Sequence, residues 1–138
     1  MEFVPFVYEQ DRNLHRLKQI SKNCGSVAAK KSFEYLRIMF YHNVNKVFSE
    51  YVDGVAYYVC CLMKNKIRVI EIAVSEQYQR KGIGTKMIER IKKVAEAKGI
   101  NKITLRTSSD ETAFMFYQKL GFKDVGMNGN DIEMELCL

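Results

Sequence analysis

The sequence predicts an α/β protein: a mixed sheet with helices on its faces. Three observations carry that reading. Apolar and β-branched residues crowd together in the strand-like runs 47–63 and 67–74, they recur at helical spacing over 83–95 and 113–120, and both helical stretches stop at glycines, Gly99 and Gly121. Taken in order, the elements read β-α-α-β-β-β-α-β-α-β-β.

The opening, Glu2 to Tyr8, suits a short strand that keeps its proline, Pro5, on a sheet edge. Leu14, Leu17 and Ile20 then mark a helix from about Asp11 to Asn23. The stretch Asn23-Cys24-Gly25-Ser26 breaks it, and a second helical pattern runs from about Ala28 to Tyr41. After Asn43 the period changes. Val47 and Tyr51, the apolar run Val55 to Met63 and the run Ile67 to Val74 read as three consecutive antiparallel strands, with Asp53-Gly54 as a hairpin signal and Lys64-Asn65-Lys66 as a turn. Ile83, Met87, Ile88, Ile91, Val94 and Ala95 form one apolar helical stripe, which leaves Lys86, Arg90, Lys93 and Glu96 for the wet side. Gly99 stands where helices favour a left-handed cap. Ile103 and Leu105 make a short strand. Ser108 and Glu111 are spaced as a capping box for a helix that carries Ala113, Phe116, Tyr117 and Leu120 on one face and ends at Gly121. Phe122 to Val125 and Ile132 to Leu138 close the chain as a hairpin around Gly126-Met127-Asn128-Gly129.

Composition narrows the class of function. With 138 residues, 47% of them hydrophobic, the chain is expected to be a single domain over 1–138 that folds without a disulfide scaffold or a structural metal. Its longest apolar run, Val55 to Met63, has nine residues, about half of what a membrane-spanning helix needs. The N-terminus lacks the basic leader of a secretory signal, so a soluble, cytoplasmic protein is expected. Cys24, Cys60, Cys61 and Cys137 contain no C-x-x-C and are expected to be buried thiols. His15 and His42 have no paired ligand spacing, and no metal site is expected. A net charge of +6 favours an anionic partner, a condition met equally by nucleic acid, a membrane surface or a phosphorylated small molecule.

The segment Gln79-Arg80-Lys81-Gly82-Ile83-Gly84-Thr85 carries the most chemical information. It lies between the end of a strand and the start of the best-patterned helix. Two glycines permit a tight turn and close approach to main-chain N–H groups, the free amides and dipole of the helix start favour an anion, and Arg80 and Lys81 add two charges. A pyrophosphate suits such a place. The segment is neither a phosphate loop of the G-x-x-x-x-G-K-[ST] type nor a three-glycine dinucleotide fingerprint.

Together with what precedes and follows it, this loop resembles a known family. Ile72-Ala73-Val74-Ser75-Glu76-Gln77-Tyr78-Gln79-Arg80-Lys81-Gly82-Ile83-Gly84, then a helix, a strand and Ala113-Phe114-Met115-Phe116-Tyr117-Gln118-Lys119-Leu120-Gly121-Phe122, is similar to the acetyl-CoA-binding core of the GCN5-related N-acetyltransferases (GNAT). The resemblance covers about Ile70 to Phe122. It implies the GNAT acyltransferase fold and transfer of an acetyl group from acetyl-CoA to a primary amine by direct attack. It implies further that the strand before the loop splays from its neighbour and offers the backbone of Ile72, Ala73 and Val74 to the pantetheine arm, while the loop from Gln79 through Thr85 holds the pyrophosphate. Tyr117 stands where many members place the hydroxyl that protonates the departing thiolate, and also lies on an apolar helix face where it could serve as core. Glu71 is the only carboxylate in the run Val69 to Val74, and members often use a glutamate on this strand as general base; it equally fits a solvated residue or an ion pair with Arg68 or Arg106. Burial would raise its pKa toward a useful range. Asp110 departs from the family pattern, which often has an asparagine there.

The acceptor is expected to be a small-molecule or peptide amine, the assembly a monomer or homodimer, with no membrane partner. Two readings compete with the enzyme: a non-catalytic module of the same fold that binds CoA, and a basic nucleic-acid-binding domain. The scattered lysines and the lack of a continuous aromatic and basic stripe count against the second.

Overall fold

The computed structural model describes residues 1–7, 14–24, 37–38, 40, 46–109 and 111–138, with Glu111 by its backbone alone. Most of the second helical pattern, together with His42, Asp110 and the Glu111 half of the expected capping box, lies outside the described residues.

Among the described residues seven strands form one sheet. They are β1 (Val4–Pro5), β2 (Val47–Val52), β3 (Ala56–Leu62), β4 (Ile67–Val74), β5 (Lys102–Ser108), β6 (Lys123–Asn128) and β7 (Asp131–Cys137). Their spatial order is β1-β2-β3-β4-β5-β7-β6. Every neighbouring pair is antiparallel except β4 with β5. A parallel pair requires a crossover, and helix α2 (Ile83–Ala97) supplies it. The other helices described are α1 (His15–Lys22) and α3 (Glu111–Lys119).

β3 is the centre of the fold. Six of its seven residues, Ala56 to Cys61, are buried, because helices cover it on both sides. Ala56, Tyr58 and Cys60 join the core beneath α2, and Tyr57 and Val59 join the core beneath α1. This two-sided burial explains an apolar run without alternation. On α2 the expected stripe is present, with Ile83, Met87, Ile88, Ile91 and Ala95 all buried. Leu17 and Ile20 of α1 are fully buried on the opposite face.

Both α2 and α3 end as their glycines foretold. After α2, Ile100 N–H donates to Ala95 O at 2.8 Å and Gly99 N–H to Glu96 O at 3.2 Å; after α3, Phe122 N–H donates to Tyr117 O at 3.1 Å and Gly121 N–H to Gln118 O at 3.0 Å. Each is the paired bonding of a Schellman cap, and Gly99 (φ 68°) and Gly121 (φ 100°) hold the left-handed position.

One expectation needs an addition and two need correction. Arg90 keeps 42% of its side chain exposed on the wet side, yet its guanidinium donates to both carboxylate oxygens of Glu50 on β2, at 2.7 and 2.6 Å, and lies over the Phe3 ring at 4.9 Å. The bidentate fit clamps α2 to the sheet, an arrangement a helical wheel cannot show. In the last hairpin the turn falls one residue pair later than expected. Asn128 pairs with Asp131 across Gly129-Asn130, and Gly126 lies inside β6 beside a bulge, its N–H held by Asp124 Oδ1 at 2.9 Å. Cys137, finally, is exposed at the end of β7, whereas Cys24, Cys60 and Cys61 are buried.

Candidate active site

The site begins with an irregularity in β4. Val59 pairs with Glu71 but the next residue, Cys60, pairs with Val69, so Ile70 is an extra residue. A bulge bends a strand and shifts the phase of its side chains. Before it, Ile67 and Val69 pack beneath α2. After it, Ile72 and Val74 do so, while Ile70 and Ala73 pack on the α1 side. Glu71 therefore shares the α1 side of the sheet with its register partner Val59.

The bulge also coincides with the parting of the strands. β4 pairs with β5 only at Ile67 with Ile103 and Arg68 with Thr104. From Val69 to Val74, the backbone groups that point away from β3 have no strand to bond. Below the fork, Arg68 keeps β4 attached: it donates to Glu133 on β7 through both terminal nitrogens and to Thr104 Oγ1 at 3.2 Å. Arg106 pairs with Asp131 at 3.4 Å.

At the open end of β4 the chain turns through Glu76–Tyr78 into the glycine loop. That turn is anchored from three sides. Ser75 N–H donates to Val55 O at 2.8 Å and its hydroxyl to Gly54 O at 2.9 Å, Glu76 N–H donates to Asn23 O at 2.7 Å, and the Gln79 amide donates to Cys24 O and Val74 O, both at 2.9 Å. The Gln79 side-chain nitrogen is thus engaged within the fold. Beyond it, Arg80 (φ 61°) and Gly82 (φ 84°) take left-handed conformations, and α2 begins. The first N–H bonded in this helix is that of Lys86, to Gly82 O at 3.1 Å, so the amides of Ile83, Gly84 and Thr85 face outward unpaired. Alternating backbone conformations with convergent amides make an anion-binding concavity. Arg80 and Lys81 are exposed beside it, the Lys81 ammonium 5.7 Å from the centre of the Tyr78 ring.

The two glycines of the loop serve different ends. A Cβ on Gly82 would meet nothing within 4 Å, so its glycine is required by φ. A Cβ on Gly84 would lie 2.9 Å from Phe116 Cζ of α3. Gly84 therefore lets α3 sit against the start of α2.

That contact helps to place Tyr117. Its ring lies edge-on to Phe116 at 5.0 Å and to Phe122 at 5.7 Å, while its carbonyl accepts the Schellman bond from Phe122. The phenol is held well above its usual pKa, first by burial, then by the negative charge of Glu71 and by Cys60. It stays protonated through the neutral range. Glu71 exerts the same influence on Tyr57 of β3. One carboxylate thus acts electrostatically on two protonated tyrosines, one beneath each helical layer.

Among the residues predicted for the site, Ile72, Ala73 and Val74 lie on the unpaired edge of β4 and Arg80 to Thr85 form the concavity at its end. Sequence reasoning missed Phe116, Ser75, Tyr57 and Ser21. Phe116 and Tyr57 read as ordinary core. The phase shift of the β4 apolar residues, Ile67, Val69, then Ile70, Ile72, was visible and is the signal that could have revealed the bulge. Among the described residues no group of His, Cys, Asp and Glu could hold a metal ion.

The family described as acetyltransferase (GNAT) domain matches residues 40–124. The chain belongs to this family. Two relatives are similar in sequence: mouse N-acetyltransferase family 8 member 3, 30% identical over 66 residues, and an uncharacterized N-acetyltransferase, CgeE, of Bacillus subtilis strain 168, 34% identical over 56 residues. The matches cover 47% and 41% of this chain and 29% and 22% of those proteins, so the chain spans under a third of the curated relatives it matches. In three dimensions it is similar to the PaiA N-acetyltransferase of Thermoplasma acidophilum in complex with coenzyme A, with a TM-score of 0.78 at 18% identity and full coverage of both chains. An acetyltransferase from Streptococcus agalactiae gives a TM-score of 0.75 at 16% identity over 99% of this chain and 98% of that one.

Proposed function

We propose that this protein transfers the acetyl group of acetyl-CoA directly to a primary amine of a small molecule or peptide. The observation that carries the reading is the fork: β4 leaves β5 after Arg68, with Glu71 on the departing strand, Tyr117 within electrostatic reach of it and the amides of Arg80 to Thr85 beyond the strand's end. The bare edge of Ile72, Ala73 and Val74 suits an extended amide-bearing arm, which would bond as a strand does. The concavity suits the pyrophosphate, and the fork between them suits the thioester. The Thermoplasma neighbour, solved with coenzyme A, agrees with this fit.

In the reaction Glu71 accepts a proton from the acceptor's ammonium, the free amine attacks the thioester carbonyl, and the C–S bond breaks as Tyr117 gives the thiolate a proton and regains one from the attacking nitrogen, leaving the neutral amide. A phenol held protonated by burial is suited to that last step.

The reading is tested by thiol release from acetyl-CoA over polyamines, aminoglycosides, amino acids and peptide N-termini. Turnover with at least one class is expected; tight CoA binding with no transfer to any would replace the enzyme with a binding module. Once an acceptor is known, Glu71→Gln is expected to lower kcat/KM on the order of 100-fold near neutral pH and much less at high pH, where the amine is already free. An unchanged pH profile removes Glu71 as the base.

A further inference from the structure

Two buried hydroxyls beside Glu71 have no assigned role. Tyr57 is wholly buried and Ser21 is 2% exposed, and neither hydroxyl has a hydrogen-bond partner among the described residues. They lie near each other, since the Ser21 hydroxyl eases the ionisation of Tyr57, yet not in bonding geometry. An orphaned hydroxyl in a core is uncommon, and two together mark a place where a third polar group belongs.

The register says which group. Tyr57 pairs with Ala73 and Val59 with Glu71, so Tyr57 and Glu71 are diagonal neighbours on the same face of the β3–β4 ladder, within reach of a side chain as long as tyrosine. Ser21 comes down on that face from the last turn of α1, whose buried residues are Leu17, Ile20 and Ser21. A water in this corner would find three polar partners, the number buried waters usually have.

We propose that Tyr57 and Ser21 are positioning residues for Glu71, the two hydroxyls holding its carboxylate through one shared water on the α1 side of the sheet. The inference deepens the reading of Glu71 as base, because it explains how the carboxylate is kept aimed into the fork. Among the described titratable groups Cys24 at the end of α1, whose thiol donates to Ser21 O at 3.0 Å, also faces this corner, and Tyr117 of α3 is within electrostatic reach of Glu71 from the other side of the sheet. A hydroxyl network that donates toward the carboxylate favours its ionised form.

The test needs no acceptor. With 13C-labelled glutamate, the Glu71 carboxyl resonance is assigned by its loss in Glu71→Gln and titrated in wild type, Tyr57→Phe and Ser21→Ala. Removing either hydroxyl is expected to raise the Glu71 midpoint, by about one pH unit for Tyr57→Phe, and to lower Tm. Hydroxyls that are merely orphaned predict the opposite pair of results, an unmoved midpoint and a Tm that rises on loss of an unsatisfied group, and that outcome overturns the proposal. If Tyr57→Phe fails to fold, Ser21→Ala decides by the same two measurements. Failure here leaves the base assignment to the kinetics of Glu71→Gln, so the two ideas fall separately.

Discussion

Gly82 and Gly84 stand two residues apart in one loop and are required for unrelated reasons, which separates the effects of their substitution. Gly82→Ala must hold a side chain at φ 84°, at about 1–2 kcal/mol, and is expected to raise KM for acetyl-CoA by disturbing the amides beside it. Gly84→Ala drives a methyl against Phe116 and is expected to cost about 1–3 kcal/mol and to lower kcat, since the Phe116 ring abuts Tyr117. The double variant Gly84→Ala with Phe116→Leu should recover most of the stability, as read by thermal melts; a loss undiminished by the smaller side chain would show that the contact is not the cause. Tyr117→Phe keeps the ring and its two edge-on contacts and removes only the hydroxyl. It is expected to lower kcat about 100-fold with little change in Tm or in KM for acetyl-CoA, and full retention of kcat would show proton donation to be dispensable. Both positions were legible in the sequence as candidates, through the glycine spacing and the family motif. The separate reasons for the glycines were not, because one depends on a helix more than thirty positions away.

At the scale of elements, ion pairs add fixed points to the apolar packing that seats α2 and β4. Glu50 is held below the usual carboxylate range, chiefly by its hydrogen bonds from Arg90, and Glu133 likewise by Arg68. A carboxylate whose folded pKa is lowered contributes stability that is present above its unfolded pKa and lost as pH falls through the folded one. Tm is therefore expected to be level above about pH 5 and to drop below about pH 4.5. Glu50→Gln should lose about 1 kcal/mol at pH 7, a modest figure because Arg90 is partly exposed, and should show a shallower fall in acid. An acid limb unaltered by Glu50→Gln would mean that other groups set it. The apolar stripe of α2 was read correctly from its periodicity, but the pattern that placed Arg90 on the wet side counts hydrophobicity and is blind to a carboxylate approaching from another strand. The last hairpin was misplaced for a related reason: Gly126 signals a turn by composition, whereas the pairing of Asn128 with Asp131 puts it in a bulge.

For the molecule as a whole, the prediction concerns linkage between ligand and fold. A ligand that binds only the folded chain stabilises it by about 2.7 kcal/mol at one hundred times its dissociation constant. CoA is therefore expected to raise Tm by several degrees. Pantetheine, which lacks the pyrophosphate, should raise it far less at equal concentration, and salt should weaken the CoA effect, because Arg80 and Lys81 are exposed. Equal shifts from the two ligands would mean that the amides at the start of α2 hold no phosphate. No helix among the described residues is long and apolar enough to cross a membrane.

The sequence by itself determined the order of the described elements, the ends of α2 and α3 and the place of the glycine loop, and it put forward Glu71 and Tyr117 as candidates, because each rests on short-range rules: periodicity, left-handed glycines and a motif of fixed spacing. Only the tertiary structure decided which side of the sheet Glu71 takes and what surrounds it. An extra residue at Ile70 reverses the facing of β4, sets Glu71 diagonally beside Tyr57 and opens the fork opposite Tyr117. Register between strands is a relation between distant segments, and it is there that the face taken by a glutamate in an apolar run is settled.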